Sequence, residues 1–150
     1  MSGVAETPTR VLVLAHKTAA TPSLLAAVAA RAAEGPCAFT LVVPAATHGL
    51  ERLSGADTGG RAEAEEVIAL ALPLLEEAAG GPVEGVVGDP DPVSAIHDAI
   101  NLRGADEVII STMAHRFSRW LRLDLPSKVG SLGLPVTMVT ARDREPAPGS

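Results

Sequence analysis

The sequence predicts an α/β domain, a single doubly wound sheet of five parallel strands with four helices. Three observations carry that expectation. Short apolar runs alternate with stretches of helical periodicity along almost the whole chain, the pattern of β-α-β crossovers rather than hairpins. The runs are continuous instead of alternating polar with apolar, as in strands buried on both faces. Finally, 150 residues with 47% hydrophobic but only 2% aromatic content suit one full-sized core filled by Ala, Val and Leu.

The elements follow in order. After a flexible N-terminus over residues 1–9, Arg10-Val-Leu-Val-Leu-Ala15 is the first strand. Thr21-Pro22 supplies a helix N-cap and a proline at the first helical position, where the missing N–H costs nothing. Leu24, Leu25, Val28 and Ala32 continue at helical spacing until Gly35-Pro36 stops the helix. Phe39 to Val43 is the second strand, closed by Pro44. Residues 45–60 contain Gly49, Gly55, Gly59 and Gly60 without periodicity, which predicts a long mobile loop. From Arg61 to Ala79 the residues Ala64, Val67, Ile68, Ala71 and Leu75 form one apolar stripe, and Pro73 inside it predicts a kink or a division of the helix. Val83 to Val87 is the third strand. Asp91 then caps a helix with Pro92 at its first position and Val93, Ile96 and Ile100 on its inner face. Residues 106–112 form the fourth strand, Pro126 opens a short fourth helix, and 134–140 is the last strand. The domain therefore spans 10–141, and the polar tail 142–150 is expected to be disordered.

Charge and cysteine content exclude several classes. A net charge of −6 argues against a nucleic-acid footprint over a whole face. The balance is uneven: residues 113–128 hold Arg116, Arg119, Arg122, Lys128 and Asp124, a local +3 that leaves −9 for the rest. Cys37 is the single cysteine, so neither an intrachain disulfide nor a cysteine zinc cluster can form, and it is expected to be a buried core thiol. No secretory signal is visible and no run approaches the ~20 apolar residues of a membrane span, so a cytoplasmic protein without a membrane partner is expected.

Open α/β sheets bind ligands beyond the strand C-termini, where strand order reverses. His16, Thr18, Ser111 and Thr112 are expected to meet there. A histidine beside hydroxyls has two readings, an acid/base or orienting donor, or a polar crevice that only satisfies backbone groups. The arginine loop also has two. Arg116, Arg119 and Arg122, spaced by three, either line one side of a helical turn and bind an anion, or form a solvated loop whose Trp120, Leu121, Leu123 and Leu125 cover the sheet edge. No catalytic residue is assigned. Ser111 stands between Ile110 and Thr112, not between the glycines of a nucleophile elbow. No Gly-x-Gly-x-x-Gly follows the first strand, and His16-Lys17 replaces the acidic cluster of a phosphoacceptor domain. His48 has no convincing companion at metal-ligand spacing, so no metal is expected. Asp89 and Asp91 are explained by turn and capping chemistry, and His97 by the boundary of its helix.

Four segments together resemble the universal stress protein family. They are Arg10-Val-Leu-Val-Leu-Ala-His16, Gly88-Asp-Pro-Asp-Pro-Val-Ser-Ala-Ile96, Gly104-Ala-Asp-Glu-Val-Ile-Ile-Ser111 and Leu134-Pro-Val-Thr-Met-Val139. The resemblance implies that family's five-stranded fold, of the adenine nucleotide alpha hydrolase type, and a non-enzymatic binding or regulatory module in a stress response. ATP-binding members carry Gly-x2-Gly-x9-Gly-Ser/Thr after the fourth strand, where glycines let the backbone approach phosphate closely. Here those positions fall on Ser111, Ala114, Asp124 and Leu125, or on Pro126-Ser127 if the last pair slips by two. The family's aspartate at the end of strand one falls on His16. The expectation is therefore a protein without a cofactor that does not hold ATP in the family's manner. The alternative is a nucleotide- or anion-binding protein whose phosphate clamp is built from Arg116, Arg119 and Arg122, with Ser127 nearby. Loop 113–125 is the expected place for a small anionic ligand or protein partner. Strand 134–140, apolar through Val136, Met138 and Val139 and at the sheet edge in the family's order, implies a homodimer with strand five against its mate.

Overall fold

The continuous apolar runs become strands and the periodic stretches become helices, in the alternation expected. The computed structural model describes residues 8–16, 19–45, 58–113 and 125–141. Its elements are β1 (Thr9–Leu14), α1 (Pro22–Glu34), β2 (Cys37–Pro44), α2 (Thr58–Ala79), β3 (Val83–Gly88), α3 (Pro92–Arg103), β4 (Glu107–Met113), α4 (Leu125–Gly130) and β5 (Val136–Ala141). All strand pairs are parallel, in the order β3-β2-β1-β4-β5, so β3 and β5 are the edges and the order reverses between β1 and β4.

Side-chain alternation divides the core between two faces. Val11, Val13, Phe39, Leu41, Val43 and Ile109 pack with Leu24 and Val28 of α1 and with Ala64, Ala71 and Leu75 of α2. Leu12, Leu14, Val42, Val108 and Ile110 point the other way, against Ala95, Ile96 and Ala99 of α3. Small helix residues let α3 lie close to the sheet. A Cβ placed on Gly88 would sit 2.7 Å from the Ala95 methyl and 2.9 Å from Val42, so only glycine fits there.

Local signals act as the sequence implies. Thr21 takes the extended backbone of an N-cap ahead of Pro22. Asp91 accepts hydrogen bonds from the Ser94 backbone N–H and hydroxyl, and Asp89 accepts one from the Asp91 N–H. His97 is exposed on α3.

Four expectations change. The helix predicted from Arg61 begins at Thr58, so residues 58–60 belong to it; the remainder of the expected mobile loop, 46–57, lies outside the described residues, as do the terminal segments 1–7 and 142–150. Pro73 does not divide α2. Both Pro73 and Ala69, whose carbonyl loses its helical partner, are exposed, so water can take that bond. Cys37 is half-buried instead of a core residue, because it opens β2 beneath the last turn of α1, where its thiol donates to the Arg31 carbonyl at 3.8 Å. Burial pushes its pKa up. Finally, β5 starts at Val136: the Val108 N–H already bonds the Pro135 carbonyl at 3.0 Å, and Pro135 has no N–H of its own to give the ladder.

Candidate functional site

The last paired residues of β1 and β4 are Leu14 and Ile110, while β4 continues beside β5 through Ser111 and Thr112 to Met113. β1 meanwhile stays bonded to β2 alone. Ala15 is fully buried and donates to the Val42 carbonyl at 3.2 Å, and a turn closes with the Ala19 N–H on the His16 carbonyl at 3.2 Å. The strands therefore part at the topological switch point, as the rule for open sheets requires. At this expected crevice half-buried His16 follows β1, and the buried Ser111 and Thr112, 1% and 4% exposed, continue β4.

Strand geometry modifies the expected convergence. Ile109 belongs to the face covered by α1 and α2 and Ile110 to the face covered by α3. By alternation Ser111 points to the first face and Thr112 to the second. The two hydroxyls flank the crevice from opposite sides of the sheet. Ser111 also lies within β4, not on the strand-to-helix turn that exposes a hydrolase nucleophile.

Thr18, Arg116, Arg119 and Arg122 lie outside the described residues, as do Ala114 and Asp124 of the phosphate-motif positions. Ser127 is exposed on α4, an element that packs against α3 and β5. Leu125, aligned with the family's phosphate-binding hydroxyl, is the first residue of α4. Among the described residues no group of three His, Cys, Asp or Glu side chains is placed to hold a metal, and no described helix is long and apolar enough to cross a membrane.

The strongest electrostatics sit at the other end of the sheet. Arg31 of α1 forks onto Glu107 with Nε–Oε1 2.7 Å and Nη2–Oε2 3.0 Å, both side chains being about one-fifth exposed. Those bonds raise the Arg31 pKa above its ordinary value. Arg10 and Asp106 clasp reciprocally: the Arg10 N–H and Nη2 reach the carboxylate at 2.8 and 3.2 Å, and the Asp106 N–H reaches the Arg10 carbonyl at 2.7 Å. These hydrogen bonds lower the Asp106 pKa. Sequence reading missed both pairs. Only the Arg10–Asp106 pair had a signal, since the register of two neighbouring strands brings their first residues together.

Known structures share this architecture. A universal stress protein from Archaeoglobus fulgidus in complex with dAMP superposes with TM-score 0.60 at 16% identity, covering 89% of this chain and 98% of that one. A universal stress protein in complex with cAMP gives 0.57 at 16% identity over 90% and 98%. A family protein from Arabidopsis thaliana with AMP bound gives 0.61 at 15% identity over 95% and 97%. The chain has the universal stress protein fold. No family model and no curated protein matches the sequence. The likeness therefore lies in backbone architecture, which matches the expectation from the four resembling segments.

Proposed function

We propose that this chain is a non-enzymatic binding module of a stress or regulatory system, and that its ligand occupies the crevice between the ends of β1 and β4. The observation that carries the reading is the end of β1–β4 pairing at Leu14 and Ile110, with Ser111 and Thr112 continuing β4 past it. A switch point of this kind is where open sheets take their ligands. Solved proteins of the same fold in complex with dAMP, cAMP and AMP support a small ligand here.

ATP held by a glycine clamp is not the proposed ligand. Aligned with the family motif, Ser111 falls on the first glycine, where a Cβ would hinder the close backbone approach that phosphate needs. A phosphate chain would lose donors worth about 1.5–3 kcal/mol each, so two losses weaken binding roughly a hundredfold or more. The second reading, an arginine clamp of Arg116, Arg119 and Arg122, draws on the monophosphates in those neighbours and on the positive charge of residues 113–128.

Calorimetry with AMP, cAMP and ATP separates the two. The first reading expects no saturable ATP binding below about 1 mM and no effect of Arg116→Ala. Micromolar ATP affinity abolished by Arg116→Ala establishes the clamp instead, and turnover of nucleotide by the pure protein overturns the non-enzymatic reading.

The module is further proposed to pair through β5. Val136, Met138 and Val139 pack into their own subunit, so what this edge offers a mate is its backbone and the exposed Thr137 and Thr140. Sedimentation at tens of micromolar protein, an ordinary range for association, is expected to give twice the 15.3 kDa of one chain. A monomer removes this part of the reading.

A further inference from the structure

Between β3 and α3 lies an open groove of about 390 Å³. Val42 and Val86 form its floor, and Ala95, Ala99 and Leu102 its helical wall. Leu102 is 78% exposed and offers the groove an apolar rim.

The backbone beside the groove is open as well. β3 pairs only with β2 among the described residues. The Gly88 carbonyl accepts from Ala45, so by alternation Glu84, Val86 and Gly88 bond toward β2 while Val83, Gly85 and Val87 face outward. Glu76 of α2 takes the Val83 N–H at 3.2 Å. Gly85 and Val87 are left with outward N–H and C=O groups for an added strand. β3 also lacks the usual edge defences: Val83-Glu-Gly-Val-Val-Gly88 contains no lysine, proline or bulge, and its one charge is spent on Arg103 at 2.6 Å.

Charge selects the occupant. With Arg103 compensated by Glu84, the groove's remaining charges are the carboxylates of Asp89 and Asp98, and Asp98 has no ion-pair partner among the described residues. A second copy of this chain, at net −6, would bring like charges together along the seam. An extended basic segment would not. Added beside β3, it would turn every second side chain toward α3, where apolar ones would meet Val86 and Leu102 and a basic one Asp98 or Asp89. We propose that the β3–α3 groove binds an extended peptide as an added strand on β3, with apolar and basic residues together on its groove-facing side.

The test uses the full chain, isotope-labelled, and short synthetic peptides in which every second residue runs valine-lysine-valine or valine-glutamate-valine, with threonine between. The lysine peptide should shift the resonances of Gly85, Val87 and residues 98–103 and slow amide exchange at Gly85 and Val87. Asp98→Lys should weaken it about tenfold at low ionic strength, and Leu102→Ser should weaken it as well. Both side chains are exposed, so the rest of the spectrum reports that the fold is kept. Equal binding of the two peptides, unchanged affinity in Asp98→Lys, or equal binding by a lysine peptide N-methylated along its bonding edge overturns the proposal. So do shifts at Gly85 and Val87 that grow with protein concentration alone, since they would mean a second copy fills the groove.

Discussion

β4 follows Asp106, opens on Glu107 and carries two hydroxyls near its end, and the sheet around it follows the same division. At its start Asp106 and Glu107 are held by Arg10 and Arg31 in forked pairs that join β1, α1 and β4. Near its end Ser111 and Thr112 continue past the last residue paired with β1. The paired end has its charges matched in fixed geometry and little capacity for a ligand. The open end has small hydrogen-bonding groups where a parallel sheet diverges. One strand thus fixes the fold at its beginning and, on the proposed function, meets a ligand at its end, so substitutions at the two ends should separate stability from binding.

The largest effect expected at the paired end comes from a residue with no side chain. Gly104, just before β4, has φ 77° and ψ 156°, a backbone region essentially confined to glycine. A Cβ there would also run into the Arg10 guanidinium. Gly104→Ala should cost about 1–3 kcal/mol from the backbone alone and displace Arg10 from Asp106. Urea unfolding that leaves the midpoint unmoved would break the view that this end is geometrically fixed.

A smaller loss is expected at the open end, where α3 starts. Asp91→Ala removes the acceptor for the Ser94 N–H and should cost about 1 kcal/mol. The same denaturation series measures it. The comparison sharpens if ligand-induced thermal shifts respond to Ser111→Ala, a change in the crevice, and not to Gly104→Ala, in which only overall stability should fall.

Much of this was legible in the sequence because local signals agree with one another. The stripe Leu24–Val28, the Asp91-Pro92 cap and the continuous run Val11–Leu14 each point to one structure. What stayed hidden depends on distant partners. Arg31 and Glu107 are 76 positions apart, and nothing near either residue announces the pair. The groove beside β3 arises from how far α3 reaches past an edge strand, which no periodicity encodes. The switch point between β1 and β4 was legible from the expected strand order, but the opposite facing of Ser111 and Thr112 follows from the strand continuing through them, where the sequence suggested its end. Cys37 was misread for a related reason: an apolar run follows it, yet the first residue of a strand lies at the rim of the core.

The smallest expected effect tests the paired end through protons. Arg10 lowers the Asp106 pKa by side-chain and backbone hydrogen bonds and by its charge, whereas in the unfolded chain Asp106 titrates at the ordinary value near 4. A group whose folded pKa is depressed contributes stability that is complete above its unfolded pKa and is lost as pH falls through the folded one. Stability should therefore decline as the solution is acidified below about pH 4. The raised pKa of Arg10 adds nothing in that window, because the guanidinium is charged in both states until far into the alkaline range. Asp106→Asn keeps an oxygen for the Arg10 N–H but abolishes the titration, so its acid limb should be flatter than that of the unmodified chain. The difference should be modest and should shrink in high salt, since the two side chains are 51% and 46% exposed. Ser111→Ala, at the far end of the same strand, should leave the acid limb unchanged. If Asp106→Asn and the unmodified chain lose stability in parallel on acidification, the clasp carries no proton linkage, and the contrast between the two ends reduces to the Arg31–Glu107 pair and the backbone at Gly104.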